Sequence, residues 1–194
     1  MTTNLNENPS LTQNSTVRIL DIGCGSSKVQ GAVGVDFNPS LDADVVHDLN
    51  KFPYPFQHQE FDEVHVKDTL FLLDNPVLVM EEIFRICKVN GKVVVVQPYF
   101  RSVYNHIDTW IKSFGTAHSF AFYDPDDPIC RRYDYSKARF RTANIIFYCS
   151  LGKSWLFRRF IIWLANRYPR KYEIYLSHLF PLDTITHYLI RLKV

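Results

Sequence analysis

The stretch Leu20-Asp-Ile-Gly-Cys-Gly25 ends an apolar run in a glycine turn, and carboxylates stand at Asp21, Asp36 and Asp48. Glycines at a strand end let the backbone turn sharply and approach a ligand closely. Asp21, directly before the turn, would repel a pyrophosphate but suits a cation such as an ammonium or a sulfonium. Asp36 can accept both hydrogen bonds of a ribose diol, and Phe37 beside it offers an apolar face to adenine. Asp48 can accept from the adenine amino group, with Leu49 packed on the ring. The dinucleotide fingerprint GxGxxG would place its third glycine where Lys28 stands, with its ribose acid about twenty residues further on; Asp36 follows Gly25 by eleven. A glycine turn with acidic caps and no ligand is the competing reading.

The elements that must position these residues are short. Apolar runs at 17–23, 32–36, 44–48, 61–66 and 92–97 read as buried parallel strands. Asp21, Asp36 and Asp48 then fall at carboxyl ends of strands, where ligands bind in open α/β sheets. Between the last two runs a helix is predicted, capped by Asn75 with Pro76 at its first position and closed by Asn90-Gly91. Residues 137–149 and 183–193 read as two more strands, and 155–168 as a helix ahead of Pro169. Strands alternating with helices predict an α/β fold with a parallel sheet.

The chain of 194 residues fits one domain: a polar tail over 1–16, then 17–194, divided into a cofactor-binding half (17–100) and a substrate-facing half (101–194). The tail has no basic start and no apolar run, unlike a signal peptide. The longest stretch without a charged residue is eleven, too short for a transmembrane helix. Cys24, Cys87, Cys130 and Cys149 form no CxxC pair, so neither a zinc site nor a secreted disulfide scaffold is indicated, and a reducing cytoplasm is expected. No metal-ligand cluster is evident in the sequence. The net charge of +2 conceals an asymmetry: residues 1–98 hold 7 of the 22 basic groups and 13 of the 20 acids.

With these residues in view, the chain resembles the class I S-adenosylmethionine-dependent methyltransferases. The resemblance lies in Leu20–Gly25, Gly34-Val-Asp36, His47-Asp48-Leu49, Phe61-Asp62-Glu63-Val64 and Asn90-Gly91-Lys92, and is nearest to a small group with a shortened first helix. It covers residues 17–100 well and the remainder loosely. It implies a Rossmann-like seven-stranded sheet, mostly parallel with an antiparallel last strand, and helices on both faces. Asp21, Gly23, Cys24 and Gly25 would hold the methionine end of S-adenosylmethionine, Asp36 and Phe37 the adenosine. Asp48 and Leu49 would receive the adenine, and backbone near Val66 and Lys67 would complete the pocket. The chain departs from its relatives at Leu70-Phe71-Leu72, where many carry Leu-Glu-His, so acid–base work assigned to that pair does not transfer.

Methyl transfer needs a general base only for a hydroxyl or a protonated amine. His118, in Gly115-Thr-Ala-His-Ser-Phe120, is the first candidate, with a structural hydrogen-bonding role as the alternative; His106 is a weaker one. Residues 131–171 carry eleven Lys or Arg against one acid, with ten aromatics interleaved. Three readings compete for this segment. They are intramolecular packing, peripheral contact of 155–168 with a membrane or lipid-linked substrate, and nucleic acid, which no recognised motif supports. The expected activity is methyl transfer to a small-molecule or sugar acceptor, including glycans. The rivals are a non-catalytic cofactor-binding protein and an NAD-dependent oxidoreductase. Oligomeric state stays open.

Overall fold

The computed structural model describes residues 17–149 and 156–194; the 1–16 tail and the start of the 155–168 helix lie outside them. Seven strands form one sheet: β1 Ile19–Ile22, β2 Val33–Asp36, β3 Val45–Val46, β4 Phe61–Lys67, β5 Cys87–Pro98, β6 Phe140–Tyr148 and β7 Thr184–Arg191. The order is β3-β2-β1-β4-β5-β7-β6. β3, β2, β1, β4 and β5 are parallel, whereas β7 runs antiparallel to both β5 and β6. One antiparallel strand among seven is the expected arrangement.

Four helices are described: α1 Pro76–Ile86, α2 Pro128–Tyr133, α3 Leu156–Arg167 and α4 Pro169–Tyr175. Asn75 caps α1, accepting from the N–H groups of Val77 and Leu78, with Pro76 at the first turn as predicted. The helix ends earlier than Asn90-Gly91. Arg85 and Ile86 offer their carbonyls to the N–H groups of Gln59 and Glu60, at 2.9 and 2.8 Å, and Cys87 is already extended and paired with Phe61. Capture of those carbonyls by a neighbouring segment removes the need for another turn.

Val79, Met80, Ile83 and Ile86 of α1 pack with Leu20, Ile22, Val64, Val66, Val93 and Val95 in the larger core. The strand registers place those six side chains on one face of the sheet. The same face carries Ile185, Phe147 and Ile145, against which Ile161 and Ala165 of α3 and Tyr172 of α4 pack. Helices on both faces were expected; among the described residues α1, α3 and α4 all lie on one. The connections β1–β2, β2–β3 and β3–β4 form no helix. Pro39, Pro53 and Pro55 interrupt the latter two, and in the first Lys28 and Cys24 pack over Gly34 instead.

His187 sits on the covered face of β7, 1% exposed and 4.8 Å from the Phe120 ring centroid. Burial pushes its pKa down from 6.5 to about 4. Because the folded value lies below the unfolded one, the contribution is present above pH 6.5 and lost as pH falls through about 4. Urea unfolding at neutral and acid pH is expected to show a midpoint that drops across this window, with a smaller drop in His187→Leu.

Candidate functional site

The chain leaves β1 through two glycines in left-handed conformations, Gly23 at φ +69 and Gly25 at φ +52. The N–H groups of Gly23 and Cys24 both donate to the carbonyl of Val35, at 2.8 and 3.2 Å, which folds the turn back over the end of β2. A Cβ at Gly23 would stand 2.2 Å from Thr69 Oγ1. That hydroxyl donates to the carbonyl of Lys67 at 2.9 Å and stands 3.3 Å from the carbonyl of Gly23, bringing the turn against the end of β4.

Three carboxylates hang from this framework. Asp36 accepts the N–H of Gly25 on Oδ2 and that of Asn38 on Oδ1, each at 3.0 Å. Each oxygen keeps a lone pair for a further donor. Asp21 is 2% exposed and accepts the N–H of Val29 at 2.8 Å. Burial holds its carboxyl above the ordinary 3.8, and the Val29 bond with His65, Lys67 and Lys28 nearby opposes that rise. Asp48 is more open, with Oδ1 accepting the N–H of Asn50 at 3.0 Å.

These groups border one cavity of about 770 Å³. Asp21, Gly23, Cys24, Gly25, Asp36, Phe37, Asp48, Leu49 and Lys67 all line it. Val66 does not: its side chain is fully buried in the core beside Val64 and Val95, because alternate residues of β4 face opposite ways. Two further carboxylates, Asp68 and Asp108, also reach the lining, against Lys67 and Lys112. Lys112 is itself paired with Asp74, and Lys28 is occupied by Asp44 at 3.0 Å. A cavity with this charge balance favours a cationic ligand and opposes a pyrophosphate.

Asp68, Thr69, Leu72 and Leu73 form a wall that the sequence reading missed. The signal was present for the first two, since they follow β4 as Gly23 follows β1. Trp110 and Lys112 had no such signal. They come from the excursion after β5 and are held in place by the Lys112 N–H donating to the Phe71 carbonyl at 2.9 Å.

His118 lies outside the cavity lining. Its Nδ1 stands 3.2 Å from Glu173 Oε1 of α4, whose other oxygen accepts the N–H of Ala117 at 2.6 Å. Glu173, unmarked in the sequence reading, thus anchors the 117–118 turn and orients the imidazole. His106 is likewise absent from the lining.

Residues 20–95 match the family model described as a methyltransferase domain. No curated protein matches the sequence. Among solved structures, a SAM-dependent methyltransferase from Archaeoglobus fulgidus is similar with a TM-score of 0.60 and 19% identity, over 91% of this chain and 87% of that one. An S-adenosylmethionine-dependent methyltransferase from Mesorhizobium loti gives a TM-score of 0.56 and 11% identity, over 90% and 91%. A putative methyltransferase of Haloferax volcanii, solved with the Trm112 methyltransferase activator, gives 0.56 and 16%, over 91% and 83%.

Proposed function

We propose, for a chain whose residues 20–95 match a methyltransferase-domain family model and whose fold is similar to that of S-adenosylmethionine-dependent methyltransferases, methyl transfer to a small-molecule or sugar acceptor. The observation that carries the cofactor side is the cavity at the strand carboxyl ends, lined by five carboxylates and two lysines. Its residues fit S-adenosylmethionine: Asp21 facing the cationic end, Asp36 the ribose hydroxyls, Asp48 and Leu49 the adenine. The bound cofactor supplies an electrophilic methyl group on sulfur. The chain's own contribution is to position the reactants and to replace water around the charge.

The acceptor side of the reading rests on the wall formed by Asp68, Leu72, Trp110 and Lys112, which belong to neither the glycine turn nor the Asp36 and Asp48 loops. His118, oriented by Glu173, takes the acceptor's proton only where an acceptor reaches the 117–118 turn. His118→Ala is expected to leave cofactor affinity unchanged. A fall in kcat of roughly 10²-fold or more with a hydroxyl acceptor assigns it the base role, and an unchanged kcat removes it. Cys24, Cys87 and Cys130 are buried thiols outside any disulfide, which suits a reducing cytoplasm.

Asp21 gives the cofactor reading a pH signature. Its carboxyl is raised in the free protein, and a bound cation lowers it, so the complex holds fewer protons. Affinity for S-adenosylmethionine therefore rises with pH through the raised value, then levels off. Calorimetry between about pH 4 and about pH 7 is expected to show this rise relative to neutral-sulfur S-adenosylhomocysteine. Asp21→Asn flattens it.

The first experiment is titration of the protein with S-adenosylhomocysteine, with NAD as control. Binding of the former alone supports the reading, after which product formation across an acceptor panel separates enzyme from binding protein. Heat with NAD alone overturns it.

A further inference from the structure

The outer stripe of α3 is where an interior residue type meets solvent. Leu156, Arg159, Phe160, Trp163 and Arg167 recur at helical spacing on one side, while Ile161 and Ala165 on the opposite side are buried. Leu156 is 83% exposed and Trp163 57%, with the Phe160 and Trp163 rings stacked at 5.8 Å. Asn166 reaches inward to bond both the N–H and the carbonyl of Phe147. Intramolecular packing, the first sequence reading of this helix, does not cover these residues in the described structure. On α4, Ile174 and Tyr175 are also exposed, and Arg167 and Lys171 lie over the Tyr168 ring at 4.8 and 5.6 Å.

Charge identifies what fits there. Between residues 156 and 194 the acids are Glu173 and Asp183. Asp183 is 5% exposed, and the Glu173 side chain is largely buried against the 117–118 turn. Among the described residues 156–194 no side-chain carboxylate is exposed, and the outer face of α3 presents aromatics and cations. A nucleic-acid surface would not place Leu156 and Ile174 in solvent. Exposed aromatic rings interleaved with arginines match the headgroup layer of a bilayer, apolar groups inward and cations against lipid phosphates. No described helix is long and apolar enough to cross a membrane, so the contact is peripheral.

We propose that the outer face of α3 and α4 docks this protein on an anionic lipid surface, with Phe160 and Trp163 inserted and Arg159, Arg167 and Lys171 against the phosphates.

The test is co-sedimentation of the full chain with phosphatidylcholine vesicles, with and without phosphatidylglycerol, while S-adenosylhomocysteine affinity is measured in parallel. Pelleting that requires phosphatidylglycerol and weakens with salt is expected. Arg159→Glu with Arg167→Glu is expected to reduce partitioning at least roughly fivefold per arginine. Phe160→Ser with Trp163→Ser is expected to abolish it with cofactor affinity retained, which shows the variant folded. Absence of pelleting by the native chain overturns the proposal, as does pelleting unaltered in both variants. Loss of cofactor affinity in the native chain would sink the methyl-transfer reading alone, because docking does not depend on it.

Discussion

Asp36→Ala is expected to weaken S-adenosylhomocysteine binding by about 1–3 kcal/mol, roughly a fivefold to 150-fold rise in Kd. The native carboxylate accepts Gly25 N–H and Asn38 N–H, one on each oxygen, and leaves both oxygens able to accept from a ribose diol. Alanine removes both ligand acceptors and strips the turn of two internal partners. Asp36→Asn separates the contributions. Its remaining carbonyl oxygen can still accept one backbone N–H, whereas the amide that replaces the other oxygen presents donors to the ribose. Calorimetry of the two variants should therefore give similar losses of affinity, with a smaller loss of thermal stability for asparagine. An Asp36→Ala protein that binds as tightly as the native one would place the ribose elsewhere.

Gly23→Ala carries the largest expected effect on stability. The residue lies at φ +69, and its new Cβ would meet Thr69 Oγ1 at 2.2 Å and Thr69 Cγ2 at 2.5 Å. Left-handed backbone and forced displacement of a packed side chain together cost about 2–5 kcal/mol. In a domain of this size that is a fall in Tm of roughly 5–20 °C. Thr69 also lines the cavity, so the displaced side chain enters the space the cofactor would occupy. Gly31→Ala is the control, because Gly31 has φ +77 but nothing within 4 Å of a built Cβ. It should show the backbone cost alone, about 1 kcal/mol, and unchanged cofactor affinity. Equal melting temperatures for the two variants would mean that the Gly23–Thr69 approach is not what closes the turn.

All seven strands were legible because each contains a run of β-branched, aromatic or other apolar residues, although β5 begins at Cys87, before the run at 92–97. Four consecutive valines at 93–96 mark β5 as well as any sequence can. Helix ends were less legible. Asn75-Pro76 states the start of α1 chemically, but its end depends on residues 59 and 60, distant in sequence, which bind its last carbonyls. α2 and α4 are short and draw support from distant partners, such as Arg170 Nη2 on Asp127 Oδ2 at 2.6 Å, a pair 43 residues apart.

The near side of the cavity was readable for a local reason. Asp21 lies within β1, Asp36 is the last residue of β2 and Asp48 stands just beyond β3, so identifying the strand locates the carboxylate. The sequence alone determined the parallel sheet, the glycine turn, the acidic lining near it and the resemblance that these support. Tertiary structure decided the wall from Trp110 and Lys112, the pairing of His118 with Glu173, and which side of α3 meets solvent. Helical periodicity defines the relative angles of Leu156, Phe160, Ile161 and Ala165 around their axis. Only the packing of Ile161 and Ala165 against Phe147 and Tyr172 selects which of those angles points inward. Local patterning sets directions along one element, whereas burial is a property of the neighbours that the rest of the chain brings to it.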